Sequence, residues 1–219
     1  MNNKSFNILD CALIAIATGE KAQNLRELWE KLKHINPGCI HYHFWGSLLH
    51  PHFDDPEFQN DFAVWASHNL HDAKIAEQLS VIDPKAFKDI EDLRREVIEI
   101  IEDRLSESEH VPWVKAGQEF HFLRSQIVIF DTGISCKNPK EMLKIIPNLS
   151  LGSIFYHFID SRRRTPDKRN DLSVWLSGYG DTYRGLIDDL DNIDPYFTTL
   201  HELRQDIYKV FHNYFKGGA

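Results

Sequence analysis

Gly152-Ser153-Ile154-Phe155-Tyr156-His157-Phe158 repeats an earlier stretch, Gly38-Cys39-Ile40-His41-Tyr42-His43-Phe44. A Gly, an Ile and a Tyr-His-Phe triplet hold the same positions 114 residues apart. Internal repetition decides a fold more firmly than any local propensity, because each copy must form the same unit. The chain is therefore laid on itself around this pair. Phe6, Leu9, Thr18 and Gly19 fall on Phe120, Leu123, Thr132 and Gly133, and Asn24 and Glu27 fall on Asn138 and Glu141. Beyond the pair, after a short gap, Asn60-Asp61, Val64-Trp65 and Ser67 fall on Asn170-Asp171, Val174-Trp175 and Ser177. Ile82-Asp83-Pro84 then meets Ile193-Asp194-Pro195, and Leu93-Arg94 meets Leu203-Arg204. The order and spacing predict a tandem duplication, 1–108 and 116–219, with pseudo-twofold symmetry and the repeats packed as one compact globular unit.

Each repeat opens on an apolar, β-favouring run, Phe6 to Ile16 and Phe120 to Phe130, that ends at Thr-Gly. Helical spacing follows. Leu25, Leu28, Trp29 and Leu32 define a first helix behind the capping pair Asn24/Glu27. Its twin starts at Asn138-Pro139. The opening stretch predicts a helix over about 38–49, with a strand as the alternative. Asn60 and Asn170 are N-caps of a third helix, and a fourth covers about 73–81 and 182–190. The last is the clearest: Ile90, Leu93, Val97, Ile101 and Leu105, repeated by Leu200, Leu203, Ile207, Phe211 and Phe215, form amphipathic faces. The expected fold is mainly α with a short strand per half.

The 219 residues carry a formal net charge of −8, which speaks against nucleic-acid or anionic-membrane binding by the surface as a whole. Three scattered cysteines, Cys11, Cys39 and Cys136, without a CxxC pair, suit reduced thiols in a cytoplasmic protein. The apolar run from Cys11 to Ala17 is too short for a membrane span, and its counterpart inside the chain marks it as folded structure.

Three groups of residues carry possible chemistry. The polar residues kept in both repeats, His43, Asp61, Arg94, His157, Asp171 and Arg204, form a candidate site in each half, with His as base or ligand and Asp as its orienter. The simpler reading is structural: helix-start acids, turn chemistry, and buried polar links. His41, His43, His50 and His52 resemble metal ligands, with Asp54 and Asp55 following. Arg162-Arg163-Arg164, with Lys168 and Arg169, is an unusual basic cluster in an acidic chain. It suits an anion such as a phosphate, or else a solvated helix end pairing with Asp160 and Asp167. There is no GxGxxG, P-loop, HExxH or nucleophile elbow, so no cofactor is indicated.

The order Ala17-Thr18-Gly19-Glu20-Lys21-Ala22, Tyr42-His43-Phe44, Asn60-Asp61-Phe62-Ala63-Val64-Trp65, Ile82-Asp83-Pro84 and Leu93-Arg94 resembles the prokaryotic family called domain of unknown function 5752. The resemblance covers nearly the whole chain and implies a cytoplasmic bacterial or archaeal protein. It implies no activity. The second repeat departs from the pattern with Leu172 in place of Phe62 and with the added arginines. The expected function is a non-catalytic binding or regulatory protein for an unknown protein or small anionic ligand. The alternatives are a metal-assisted hydrolase using the histidines of the first repeat and a sugar-phosphate sensor at the arginines.

Overall fold

The computed structural model describes residues 5–49, 58–107 and 109–216. Two 17-residue strands, β1 (Phe6–Ala22) and β2 (Phe120–Cys136), pair as a two-stranded sheet. The pairing is antiparallel. The Thr18 hydroxyl donates to the Phe122 carbonyl at 2.7 Å, and the Thr132 hydroxyl donates to that of Ile8 at 2.6 Å, so one partner number rises as the other falls. Both strands run past the expected Thr-Gly stop. Gly19 and Gly133 sit inside them at φ +82° and +72°, where glycine lets the chain kink and continue.

The helices are α1 (Leu25–Leu32), α2 (Pro37–Trp45), α3 (Asp61–His68), α4 (Ala73–Ser80) and α5 (Ile90–Ser106). After β2 come α6 (Met142–Ile145), α7 (Leu151–Ile154), α8 (Ser161–Arg164), α9 (Asp171–Ser177), α10 (Arg184–Asp191) and α11 (Leu200–Lys216). The mainly helical expectation holds, and the stretch containing Tyr42-His43-Phe44 is helical. The predicted caps are also in place: Asn24, Asn60, Asn138 and Asn170 each accept a backbone N–H from their helix's first turn. The twin of α1 is fragmented: α6 lies between the 3-10 turns Pro139–Glu141 and Ile146–Asn148, each of which holds a proline.

By contacts the chain divides into two compact units, neither of which coincides with a sequence repeat. Unit 1 is Met1–Ala12 with Ile127–Ala219, and unit 2 is Leu13–Gln126. The cut passes through both strands, so the strand half at the start of the chain belongs to the unit built from the second repeat's helices. In unit 2 the core gathers Leu25, Leu28, Ile40, Phe44, Phe62, Leu93, Val97 and Phe122. In unit 1 it gathers Ile8, Phe155, Phe158, Leu176, Leu186, Leu203 and Phe211. At about 25 cal/mol per Å² of apolar surface, burial of this kind is the main term favouring each unit.

Candidate functional site

The His and Phe of Tyr-His-Phe lie beneath the surface in both units, His43 at 2% and His157 at 6% exposure, while Tyr42 is half-buried. In unit 2, His43 Nδ1 is 2.8 Å from Asp61 Oδ2, and its Nε2 accepts the backbone N–H of Leu123 at 3.1 Å. In unit 1, His157 Nδ1 is 2.8 Å from Asp171 Oδ2, and its Nε2 accepts the backbone N–H of Leu9 at 2.9 Å. The backbone donor fixes the tautomer. Nε2 must present a lone pair, so the proton sits on Nδ1 and points at the carboxylate. Each imidazole thus ties a strand backbone to a helix-start aspartate. Asn60 and Asn170, the preceding N-caps, hold the two aspartates in their helices' first turns.

An aromatic box surrounds each latch. Phe6 lies 4.9 Å from the His157 ring and 5.2 Å from Trp175. Phe120 lies 4.7 Å from the His43 ring, 5.6 Å from Trp65 and 5.1 Å from Phe62, on which it stacks. Ile8 and Phe122, two residues on, are each 1% exposed. In unit 1 the glycine that begins the stretch gives access to the strand. A Cβ on Gly152 would fall 2.3 Å from Cys11 O and 2.3 Å from Asp10 Oδ1, so only glycine lets α7 come this close. The Cys11 thiol donates to the Gly152 carbonyl at 3.3 Å. Burial, with Asp10 and Asp160 adding to it, pushes that thiol up to about 12, and burial pushes Cys136 up to about 11. Burial also raises the pKa of the phenols flanking the histidines, Tyr42 and Tyr156.

The two units differ just after the latch. In unit 2, α2 continues as a 3-10 turn, Gly46–Leu49. In unit 1 the chain widens into a π-helix over Phe155–Asp160, all of it buried, before α8. A π turn shifts the backbone hydrogen bonds by one residue, and side chains serve carbonyls along it. Ser161 Oγ donates to His157 O at 2.8 Å, Arg162 Nε to Phe158 O at 3.3 Å, and Arg164 Nη2 to Tyr156 O at 2.9 Å. Asp160, 1% exposed, binds Arg163 at 2.8 Å and Arg164 at 2.9 Å. Arg164 also reaches Asp171 Oδ2 at 3.0 Å and lies 4.1 Å over the Tyr156 ring. Burial works against the Arg164 charge, but the hydrogen bonds and charges of Asp171 and Asp160 outweigh it and raise its pKa.

The expected site residues therefore fall into separate places. His43 lies with Asp61, and His157 with Asp171, with both ring nitrogens of each imidazole already engaged. Arg94 and Arg204 do not join them: Arg94 donates to the Leu32 carbonyl at 2.6 Å and Arg204 to that of Leu149 at 2.7 Å, each closing a helical segment's C-terminal end. Arg163 and Arg164 pair with Asp160, and Arg169 grips Asp191 Oδ2 at 2.9 Å. Lys168 adopts a left-handed φ of 52° in the turn before α9. His41 stacks on Trp45 at 4.9 Å. His50 and His52, with Asp54 and Asp55, lie outside the described residues. Among the described residues no group of three or more His, Cys, Asp or Glu side chains is placed to hold a metal ion. What sequence reasoning missed is the partner of each histidine. Phe6/Leu9 and Phe120/Leu123 already stood out as matched positions, but nothing in the spacing says that His157 reads the first pair and His43 the second.

The model of the family described as "Family of unknown function (DUF5752)" matches residues 3–212. The chain is also similar to a solved structure described as "The structure of OrfY from Thermoproteus tenax", at 26% identity and a TM-score of 0.82, over 97% of this chain and 96% of that one. No curated protein matches. Among the described residues no helix is long and apolar enough to cross a membrane.

Proposed function

The chain belongs to this family of unknown function, DUF5752, and from the geometry of its two latches we propose that it is a non-catalytic binding or regulatory protein of the cytoplasm. One observation carries the reading. The histidines common to both halves have no free nitrogen: Nε2 holds a strand N–H and Nδ1–H holds an aspartate. A general base needs a lone pair within reach of a substrate proton, and a metal ligand needs one directed at the ion. Both uses would break the strand attachment. The flanking phenols and the Cys11 and Cys136 thiols are pushed upward by burial, away from nucleophilic forms near neutral pH. Of the arginines that suggested an anion sensor, Arg163, Arg164 and Arg169 spend their charge on Asp160, Asp171 and Asp191, and Arg162 donates to the Phe158 carbonyl.

An internal duplication is part of the same reading. It is supported by the matched residues making matched contacts: Phe6, Leu9 and His157 in one unit do what Phe120, Leu123 and His43 do in the other. The decisive experiment combines elemental analysis with a hydrolysis screen over esters, phosphoesters and glycosides, on the wild type and on His43→Gln and His157→Gln. The expected result is no stoichiometric transition metal, no turnover, and variants with lowered melting temperatures. Turnover or bound metal that disappears in a folded His→Gln variant overturns the reading.

A further inference from the structure

In unit 1 the first half of β1, residues 6–12, lies far in sequence from the rest of the unit, which is formed by residues after 126. Its attachment follows a pattern. Phe6 fills the aromatic box of His157 and Trp175. Asn7 faces out, and Ile8 is buried at 1% exposure. The Leu9 N–H is received by His157, and the Ile8 carbonyl by the Thr132 hydroxyl. Unit 2 holds a different sequence, Phe120-His121-Phe122-Leu123, in the same way: Phe in the box of His43 and Trp65, His121 outward, Phe122 buried, and the Leu123 N–H on the histidine. Two strands that share Phe and Leu but differ at the second and third positions, held in two like slots, define what a slot reads. It takes an aromatic ring at the first position, tolerates any residue at the second, buries an apolar side chain at the third, and takes a backbone N–H at the fourth. Main-chain bonds with alternate side-chain pockets are the means by which proteins bind an added strand.

We propose that unit 1 is a strand-acceptor module whose slot takes an extended segment of the form Phe-x-(Ile/Phe)-Leu from a partner protein, with residues 6–9 as the resident that the partner displaces. This rests on the binding-protein reading and names its ligand class. Displacement has a quantitative signature. The observed affinity is the intrinsic affinity reduced by the fraction of molecules whose slot is open, so a change that weakens the resident strand tightens binding of the incoming one. An ordinary surface site would be indifferent to it.

The probe is a fluorescein-labelled peptide with the sequence of residues 5–13 and Cys11 replaced by Ser, titrated by anisotropy into the full chain. Phe6→Ala is expected to bind it at least tenfold more tightly than the wild type. Adding His157→Phe to Phe6→Ala is expected to remove that gain, and a peptide with Phe and Leu exchanged is expected not to bind. Equal affinity of wild type and Phe6→Ala overturns the proposal, as does binding that survives His157→Phe. Absence of binding to a folded Phe6→Ala protein at millimolar peptide also overturns it. Should Phe6→Ala not fold, Ile8→Ala provides the same comparison. Failure here leaves the general binding reading standing, whereas turnover in the hydrolysis screen would overturn that reading and leave the peptide result intact.

Discussion

At the scale of single residues, the histidines act as adaptors between backbone and carboxylate. His157 faces the Leu9 N–H on one side and Asp171 on the other while being 6% exposed. Replacing it by Phe keeps the ring packed against Phe6 but leaves a backbone donor without its acceptor and takes one of the donors, besides Arg164, from the Asp171 carboxylate. An unsatisfied buried group costs about 1–3 kcal/mol. His157→Phe is therefore expected to lower stability by about that amount in urea titrations, with Leu9 losing its amide protection. A variant as stable as the wild type would show that the latch is idle. Cys11 and Cys136 report in a different way. Their folded values of about 12 and about 11 lie above the ordinary thiol value of 9.0, because burial disfavours the thiolate. Below pH 9 both states hold the thiol proton and these groups add no pH dependence. Above it the unfolded chain ionises first, so stability is expected to fall as pH climbs from 9 towards 11. At pH 8 a thiol reagent should label neither cysteine faster than the protein opens.

At the scale of elements, the arginine run is explained by the turn it follows. Regular α geometry in α2 needs no such help, whereas the π-helix Phe155–Asp160 receives Ser161, Arg162 and Arg164 on its carbonyls. Arg164 links the turn to the latch, since Asp160 and Asp171 both bind it. Arg164→Met retains most of the contact with Tyr156 and removes the charge. It leaves Asp160, 1% exposed, paired with Arg163. Breaking a buried pair from one side costs about 3–5 kcal/mol; the partial exposure of Arg164 and the surviving Arg163 pair place the expected loss below that, at about 2–3 kcal/mol. Chemical denaturation measures it. If Arg164→Met were neutral while Asp160→Asn were not, Arg163 alone would be the significant partner.

At the scale of the whole molecule, the proposed repeats and the contact-defined units partition the chain differently. The helices after β2 share a unit with residues 6–12, and the helices before it share one with residues up to 126. Weakening the strand half at the start of the chain should therefore loosen the distant end of the sequence. In Phe6→Ala, hydrogen exchange is expected to quicken in α7, α9 and α11 while α1, α3 and α5 keep their protection. Faster exchange in α1 to α5 instead would mean that residues 6–12 belong energetically to the first repeat.

Much of this protein was legible in its residues because the signals were local and doubled. Asparagine caps, helical apolar stripes and the glycine before each Tyr-His-Phe follow from hydrogen bonding and burial within a few residues, and each was read twice. The sequence by itself thus determined the mainly helical class, the strand that opens each half and the family resemblance. Tertiary structure alone decided which strand each histidine holds, that both strands run on past their glycines, that Arg94 and Arg204 leave the candidate site to close helical segments, and that the arginine run serves a π turn. The physical reason is that a strand's outward N–H is identical at every residue. Composition and spacing cannot say which histidine will receive it, and only the packing that brings Leu9 to His157 and Leu123 to His43 makes the choice.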